Sequence, residues 1–166
     1  MKKTLIAFEI FLLVGIGGYL LFHETINQLF IDESAYRQGF YVPKDLEDSF
    51  DELDQILNKE DRNSLKSLSS EDDLSMYHFG LGTYLRNRWG LWGGSRFSEY
   101  FNELGIYHPD DMSGIILTSY WRHLNDLPLE VKRQVKYYQD YWEQVDQADT
   151  LLQDLPASTD SIKNEH

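Results

Sequence analysis

Apolar side chains recur every three or four positions between residues 46 and 145, which is the spacing of one face of an α-helix. The first set of such positions is Leu46, Phe50, Leu53 and Leu57. The last set is Val131, Val135, Tyr138, Trp142 and Val145. No stretch of comparable length shows the alternation expected of a β-strand. The pattern therefore predicts an all-α fold, an irregular bundle of about five helices preceded by one N-terminal transmembrane helix.

The transmembrane prediction rests on a 19-residue run from Thr4 to Phe22 in which Glu9 is the only charged residue. As a helix the run spans roughly 28 Å, close to the hydrocarbon thickness of a bilayer. Lys2 and Lys3 precede it, so a cleaved signal peptide is the alternative interpretation. No Ala-x-Ala cleavage pattern follows, which favours an anchor over residues 1–30 with a short cytoplasmic start.

The charges on either side of the run predict its orientation. The two lysines lie before it, whereas Glu24, Asp32 and Glu33 lie after it. The positive-inside rule then places the N-terminus in the cytoplasm and the rest of the chain outside the cytoplasmic membrane. We expect a tether over residues 31–40, a folded domain over residues 41–152 and a disordered tail over residues 153–166.

Capping residues predict where most helices begin. Ser70 with Asp73 forms a capping box that should start a helix at Glu71 running to about Arg88, while residues 58–70 offer only one turn. Ser95 is a good N-cap and Pro109 suits a first helical position. The last helix should begin near residue 129 and run for about twenty residues.

The stretch from Tyr84 to Ser113 concentrates three arginines and two tryptophans in an otherwise acidic chain. Because a glycine-rich turn has few side chains to anchor it, we expect Trp92 to be buried and Arg86 to be held by a carboxylate of another helix. Three roles remain open for this stretch: helix pairing, a protein-interaction surface, or a pocket for a small ligand. The candidate binding residues are Arg86, Asn87, Trp89, Trp92 and Arg96.

Several short motifs in and around this stretch resemble a family of small bacterial domains of unknown function. The resemblance runs from Val42 to about Tyr141 and implies no activity, cofactor or catalytic residue for this chain. The motifs that carry it are Phe79-Gly-Leu-Gly, Arg86-Asn87, Trp89-Gly-Leu-Trp92, Ser95-Arg96, Tyr100-Phe101, Leu104-Gly-Ile and His108-Pro-Asp-Asp-Met-Ser113.

His108, Asp110 and Asp111 are the candidates for acid–base chemistry, and His78 or His123 could complete such a site. The alternative is that His-Pro-Asp-Asp is simply a well-made helix start, in which the aspartates interact with the helix dipole. Serine nucleophiles at Ser95 or Ser113 lack a diagnostic motif around them.

The formal net charge of −13 opposes sequence-independent binding to nucleic acid, and the absence of cysteine excludes disulfides and thiolate chemistry. We expect no cofactor and no bound metal. The sequence favours a non-catalytic interaction or binding module that is held at the membrane by residues 4–22 and meets a protein partner at the cell envelope. The alternative is an enzyme acting on an envelope component through His108 and Asp110 or Asp111. Such an enzyme needs His108 and a carboxylate to open together into one cleft.

Overall fold

The computed structural model of this chain describes residues 35–153, which are mostly helical. The all-α prediction is confirmed at this level. Six α-helices lie in the described part of the chain, and they are α1 (Leu46–Ile56), α2 (Lys59–Lys66), α3 (Thr83–Arg88), α4 (Arg96–Glu103), α5 (Pro109–Leu124) and α6 (Val131–Gln153).

The sequence predicts the starts of most helices correctly. Asp45 caps α1, Ser95 caps α4 in a capping box with Ser98, and Pro109 is the first residue of α5. Each cap supplies an oxygen to an N–H group that has no partner within its helix. The prediction for residues 58–70 is wrong, because Asn58 caps a complete helix, α2.

The segment from Glu71 to Arg88 is helical along its length, but it is not one α-helix. It begins as a 3₁₀ helix over Glu71–Tyr77, widens to a π-helix over His78–Gly82, and only then becomes α3. The predicted capping box of Ser70 and Asp73 is present at its start. A π-helical turn is uncommon and often marks a functional site.

A short antiparallel hairpin joins β1 (Tyr36–Arg37) to β2 (Phe40–Tyr41), within a region where the sequence predicts a tether and no strand. It packs on the helical domain, because the Arg88 guanidinium lies 4.2 Å from the centre of the Phe40 ring. The first residues described are therefore attached to the bundle through aromatic contacts.

Helix α5 lies at the centre of the molecule, and buried residues occur on most sides of it. Trp89, Phe97, Phe101 and Tyr120 are the largest side chains packed in the core around it. A smaller cluster of Leu65, Leu74 and Trp121 joins α2 and the 3₁₀ segment to α5. This cluster packs the C-terminal end of α5 against α2 and the 3₁₀ segment.

Ion pairs fasten the 3₁₀ segment to the last two helices. Glu71 pairs with Arg122 at the end of α5 and, at 2.9 Å, with Arg133 of α6. Glu130 binds the same two arginines at 3.1 and 2.6 Å. These contacts help fix the position of α6 beside α5.

Among residues 35–153, no helix is both long and apolar enough to cross a bilayer. The predicted membrane segment over residues 4–22 lies outside the described residues, as does the predicted tail except for its first residue. Both remain predictions.

Candidate functional site

The site is built at the start of α5, where the chain leaves α4 and turns. Gly105 ends α4 with a φ of +78°, a conformation that glycine adopts without strain. The His108 ring then acts as the N-cap of α5, because its Nδ1 accepts the Asp110 N–H at 3.3 Å. With Nδ1 accepting, the neutral ring carries its proton on Nε2.

Asp110 is the centre of a charged cluster. Its Oδ1 lies 2.9 Å from the Arg86 guanidinium and 3.5 Å from His78 Nε2, and its Oδ2 lies 3.7 Å from His108 Nδ1. Arg86 is only 5% exposed and also donates to the Ser113 hydroxyl at 2.8 Å. The prediction that a carboxylate of another helix holds Arg86 is confirmed.

The π-helical turn makes room for this arginine. A Cβ atom at Gly82 would lie 3.1 Å from an Arg86 guanidinium nitrogen, a tighter approach than ordinary packing allows. The same turn carries His78, which reaches Asp110 from the other side. The irregular helix therefore brings both basic groups to one carboxylate.

Asp111, the next residue, has a different environment. It is 9% exposed, and its Oδ2 accepts the indole N–H of Trp142 at 2.7 Å. Among residues 35–153 it has no ion-pair partner within 4 Å. Burial raises the pKa of the Asp111 carboxyl, and the hydrogen bond from Trp142 offsets part of that rise.

Asp111 and Trp142 border a groove of about 1000 Å³ between the α4–α5 turn and the C-terminal half of α6. Aromatic and aliphatic side chains make much of its wall, and three carboxylates stand among them. Among the described residues, no lysine or arginine borders it. Its lining residues are Gly105, Ile106, Tyr107, His108, Asp111, Gln139, Trp142, Glu143, Asp146, Gln147, Thr150 and Leu151.

His108 opens into the same groove, and its ring centre lies 5.5 Å from that of Trp142. The condition set by the sequence for an acid–base site is thus met for His108 with Asp111. Asp110 does not border this groove. It borders a second hollow of about 640 Å³ together with His78, Phe79 and Tyr137, and Asp111 borders that hollow as well.

Residues 42–124, half of the chain, match the family described as "Domain of unknown function (DUF6794)". The chain belongs to the DUF6794 family. No curated protein and no solved structure matches it. The match includes His108, Asp110 and Asp111, whereas Trp142 and the rest of α6 lie beyond its end. The groove of this DUF6794 protein is therefore formed by the family segment and the helix that follows it.

The five predicted binding residues do not form one surface of the DUF6794 domain. Trp92 was expected to be buried and is 64% exposed, with its indole donating to Asn87 at 3.1 Å. Trp89 fills the core instead and has no exposed surface. Arg86 turns towards α5, while Arg96 donates to the Val42 carbonyl at 2.7 Å beside the hairpin.

Of the remaining predicted residues, His78 lies beside Asp110, whereas His123, Ser95 and Ser113 do not border the groove. His123 stacks on Phe50 with ring centres 4.7 Å apart. It lies fifteen positions after His108 at the far end of α5, roughly 22 Å away along a helix. Ser95 is buried as a cap, and the Ser113 hydroxyl donates to the Asp110 carbonyl at 2.9 Å.

Residues of α6 form the wall of the groove that the sequence did not predict. Trp142, Glu143 and Asp146 face the groove together. Their spacing on one face of a helix was the sequence feature that could have identified them as neighbours. Within the described residues 35–153, no group of three or more histidine, aspartate or glutamate side chains is arranged to hold a metal ion.

Proposed function

We propose that this protein is a non-catalytic binding module at the outer face of a bacterial cytoplasmic membrane, held there by residues 4–22, and that its ligand occupies the groove over Asp111 and Trp142. One observation carries the proposal. Asp111 is 9% exposed at the edge of an aromatic groove and has no cationic partner within residues 35–153.

A buried carboxylate without a cationic partner destabilises the folded protein when no ligand is bound. Moving a charge out of water without an opposite charge nearby raises the free energy of the folded state, so buried charges are usually paired. Asp110 follows that rule, because Arg86 lies 2.9 Å from it. Asp111 departs from it, and a ligand that supplies the missing partner would recover part of the cost.

The groove also has the size and composition of a binding site. Its volume of about 1000 Å³ lies at the upper end of the range for ligand pockets. Trp142 is 39% exposed and Tyr107 is 74% exposed, so aromatic surface remains available to a ligand. Aromatic side chains of this kind are enriched at the centres of binding interfaces.

The test is site-specific photo-crosslinking of the full-length chain in intact cells. A photoreactive residue in place of Tyr107 or Thr150 borders the groove, whereas one in place of Glu60 lies on exposed α2 and serves as the control. We expect one specific adduct from the two groove positions, none from position 60, and loss of the adduct when Asp111→Asn is added. A groove adduct that survives Asp111→Asn would contradict the proposal.

An acid–base enzyme acting on an envelope component is the second candidate, because His108 and Asp111 border the same groove. The raised pKa of Asp111 would suit a proton donor, and His108 could accept or donate a proton beside it. His108→Asn separates the two functions. Asn can still cap α5 but loses the ring contact with Trp142, so binding should weaken only in part, whereas acid–base turnover should be abolished. Crosslinking yield and product release from envelope material measure the two outcomes.

A further inference from the structure

The shape of the groove indicates an elongated occupant. Its α6 wall runs from Gln139 to Leu151, through positions that share one face of the helix. That distance is roughly 18 Å at the rise of an α-helix. A trough of this length along a single helix fits a segment of polypeptide better than a compact small molecule.

The charges along the groove indicate a basic occupant. Asp111 lies near the start of α5, and Glu143 and Asp146 lie on successive turns of α6. Within residues 35–153, neither lysine nor arginine borders the groove. A positively charged segment would therefore meet complementary charge along the trough, whereas an acidic one would be repelled.

The aromatic side chains beside Asp111 suit the same kind of group. The Trp142 ring lies against the His108 ring, and its indole nitrogen is fixed on Asp111 at 2.7 Å. A lysine or arginine head could reach the carboxylate while its aliphatic stem packs on the indole face. Tyr107 and Leu151, which are 74% and 70% exposed, supply apolar surface for the neighbouring side chains of such a segment.

A second copy of this chain is a poor occupant. The protein carries a net charge of −13, so two copies repel each other. Two of the three basic residues of α6 already have partners, Arg133 with Glu71 at 2.9 Å and Lys136 with Asp140 at 2.8 Å. These basic side chains would have to leave existing partners to enter another groove.

We propose that the groove binds a basic, amphipathic segment of a partner protein, with a lysine or arginine of that segment paired to Asp111 and packed on Trp142. This inference rests on the proposed binding function and adds the chemistry of the partner. The polar face of the segment would lie along Glu143 and Asp146, and its apolar face would cover Tyr107 and Leu151.

Nuclear magnetic resonance of the full-length chain provides the test. The probe is a synthetic helical peptide of leucine and lysine, about 14 residues or roughly 20 Å long. The matched control peptide has glutamate in place of every lysine. We expect only the lysine peptide to shift the Trp142 indole and Ile106 methyl signals saturably, with weaker binding at higher salt.

Two variants make the test specific. Asp111→Asn should weaken binding of the lysine peptide on the order of tenfold or more, because the paired charge is lost. Glu60→Gln removes one exposed carboxylate from α2 and should leave the affinity within about twofold, since rim or distant charges contribute little. Equal losses in both variants would mean general attraction to an acidic protein and would overturn the proposal.

The remaining outcomes separate this inference from the proposed function. If the glutamate peptide shifts the groove signals and the lysine peptide does not, the groove binds a ligand but the basic partner is wrong. If the signals shift with protein concentration alone, a second copy is the occupant and the basic partner is again wrong. If neither peptide shifts the groove signals and the groove positions also give no crosslink in cells, both the basic partner and the proposed binding function are wrong.

Discussion

The adjacent aspartates at the start of α5, Asp110 and Asp111, lie in different electrostatic environments. The sequence left two interpretations open for Asp110 and Asp111, acid–base groups or carboxylates that interact with the helix dipole. Asp110 neutralises a buried arginine, whereas Asp111 is itself buried and, among the described residues, has an indole N–H as its partner. Neighbouring residues in a helix point about 100° apart, so a single shared role was never dictated by their adjacency.

Single substitutions to asparagine should separate the two aspartates. Asp110→Asn leaves Arg86 buried without its counter-charge and should cost about 2 to 3 kcal/mol, less than for a fully buried pair because the Asp110 side chain is 35% exposed. Asp111→Asn keeps an acceptor for the Trp142 indole and removes a charge, so stability at neutral pH should be unchanged or higher. Denaturant unfolding of the full-length variants measures both.

The two tryptophans of the central loop provide a second matched pair. Trp89 is fully buried and Trp92 is 64% exposed. Trp89→Ala should therefore cost about 3 to 5 kcal/mol, whereas Trp92→Ala should cost about 1 kcal/mol or less, since it loses mainly one exposed hydrogen bond. Thermal melts of both variants decide the assignment. Equal losses would contradict the burial seen here.

The sequence correctly predicted that a tryptophan of this loop anchors it, but named Trp92 rather than Trp89. Both residues adjoin glycines, and local pattern gives no sign of which indole turns inward. The direction of α3 determines which indole is buried, because Trp89 continues the buried side of that helix after Leu85. The partner class of Arg86 was predicted correctly, since an arginine in an acidic chain has many carboxylates to pair with.

At the scale of elements, the starts of helices were predictable and their internal geometry was not. Capping residues act over one turn, so Ser70, Ser95 and Pro109 signalled their helices directly. The π-helical turn lies against α5, where His78 reaches Asp110 at 3.5 Å, and local sequence does not encode such a contact. Likewise, the contact between Asp111 and Trp142 joins residues 31 positions apart.

The close approach of α5 to α6 yields a prediction about packing. A Cβ atom at Gly114 would overlap the Tyr138 hydroxyl. Gly114→Ala should therefore destabilise the protein by about 1 to 3 kcal/mol, despite the higher helix propensity of alanine. In a Tyr138→Phe background the cost should fall below about 1 kcal/mol, because the overlapping oxygen is gone. A double-mutant cycle of unfolding free energies shows whether the two positions are coupled.

At the scale of the whole molecule, the groove depends on elements from both sides of the family boundary. The DUF6794 match ends at residue 124, and α6 begins at Val131. The sequence predicted α6 from its periodicity but gave it no role in a site. Its acidic outer positions were indistinguishable from an ordinary solvated face until the structure placed them opposite the α4–α5 turn.

The predicted membrane topology also concerns the whole chain. Because Lys2 and Lys3 precede the apolar run and acidic residues follow it, a reporter fused after His166 should behave as extracytoplasmic. Paired reporters, one active only inside the cell and one only outside it, measure this directly. Activity of the inside reporter would contradict the proposed location while leaving the groove chemistry untouched.

Asp111 is proposed to be a buried carboxylate that pairs with a cationic group of the ligand. The titration of the Asp111 carboxyl tests this proposal directly. Carbon-detected magnetic resonance of the full-length chain can follow the Asp111 carboxyl with pH, before and after the lysine peptide is added. We predict a pKa above the ordinary value of 3.8 in the free protein, and a lower one in the complex, where a nearby cation favours the charged form. Asp111→Asn should accordingly gain stability relative to the parent as pH rises through that pKa, because only the parent must then hold a buried charge. An Asp111 pKa at or below 3.8 in the free protein, unchanged by the peptide, would contradict the proposal that Asp111 pairs with a cationic group of the ligand.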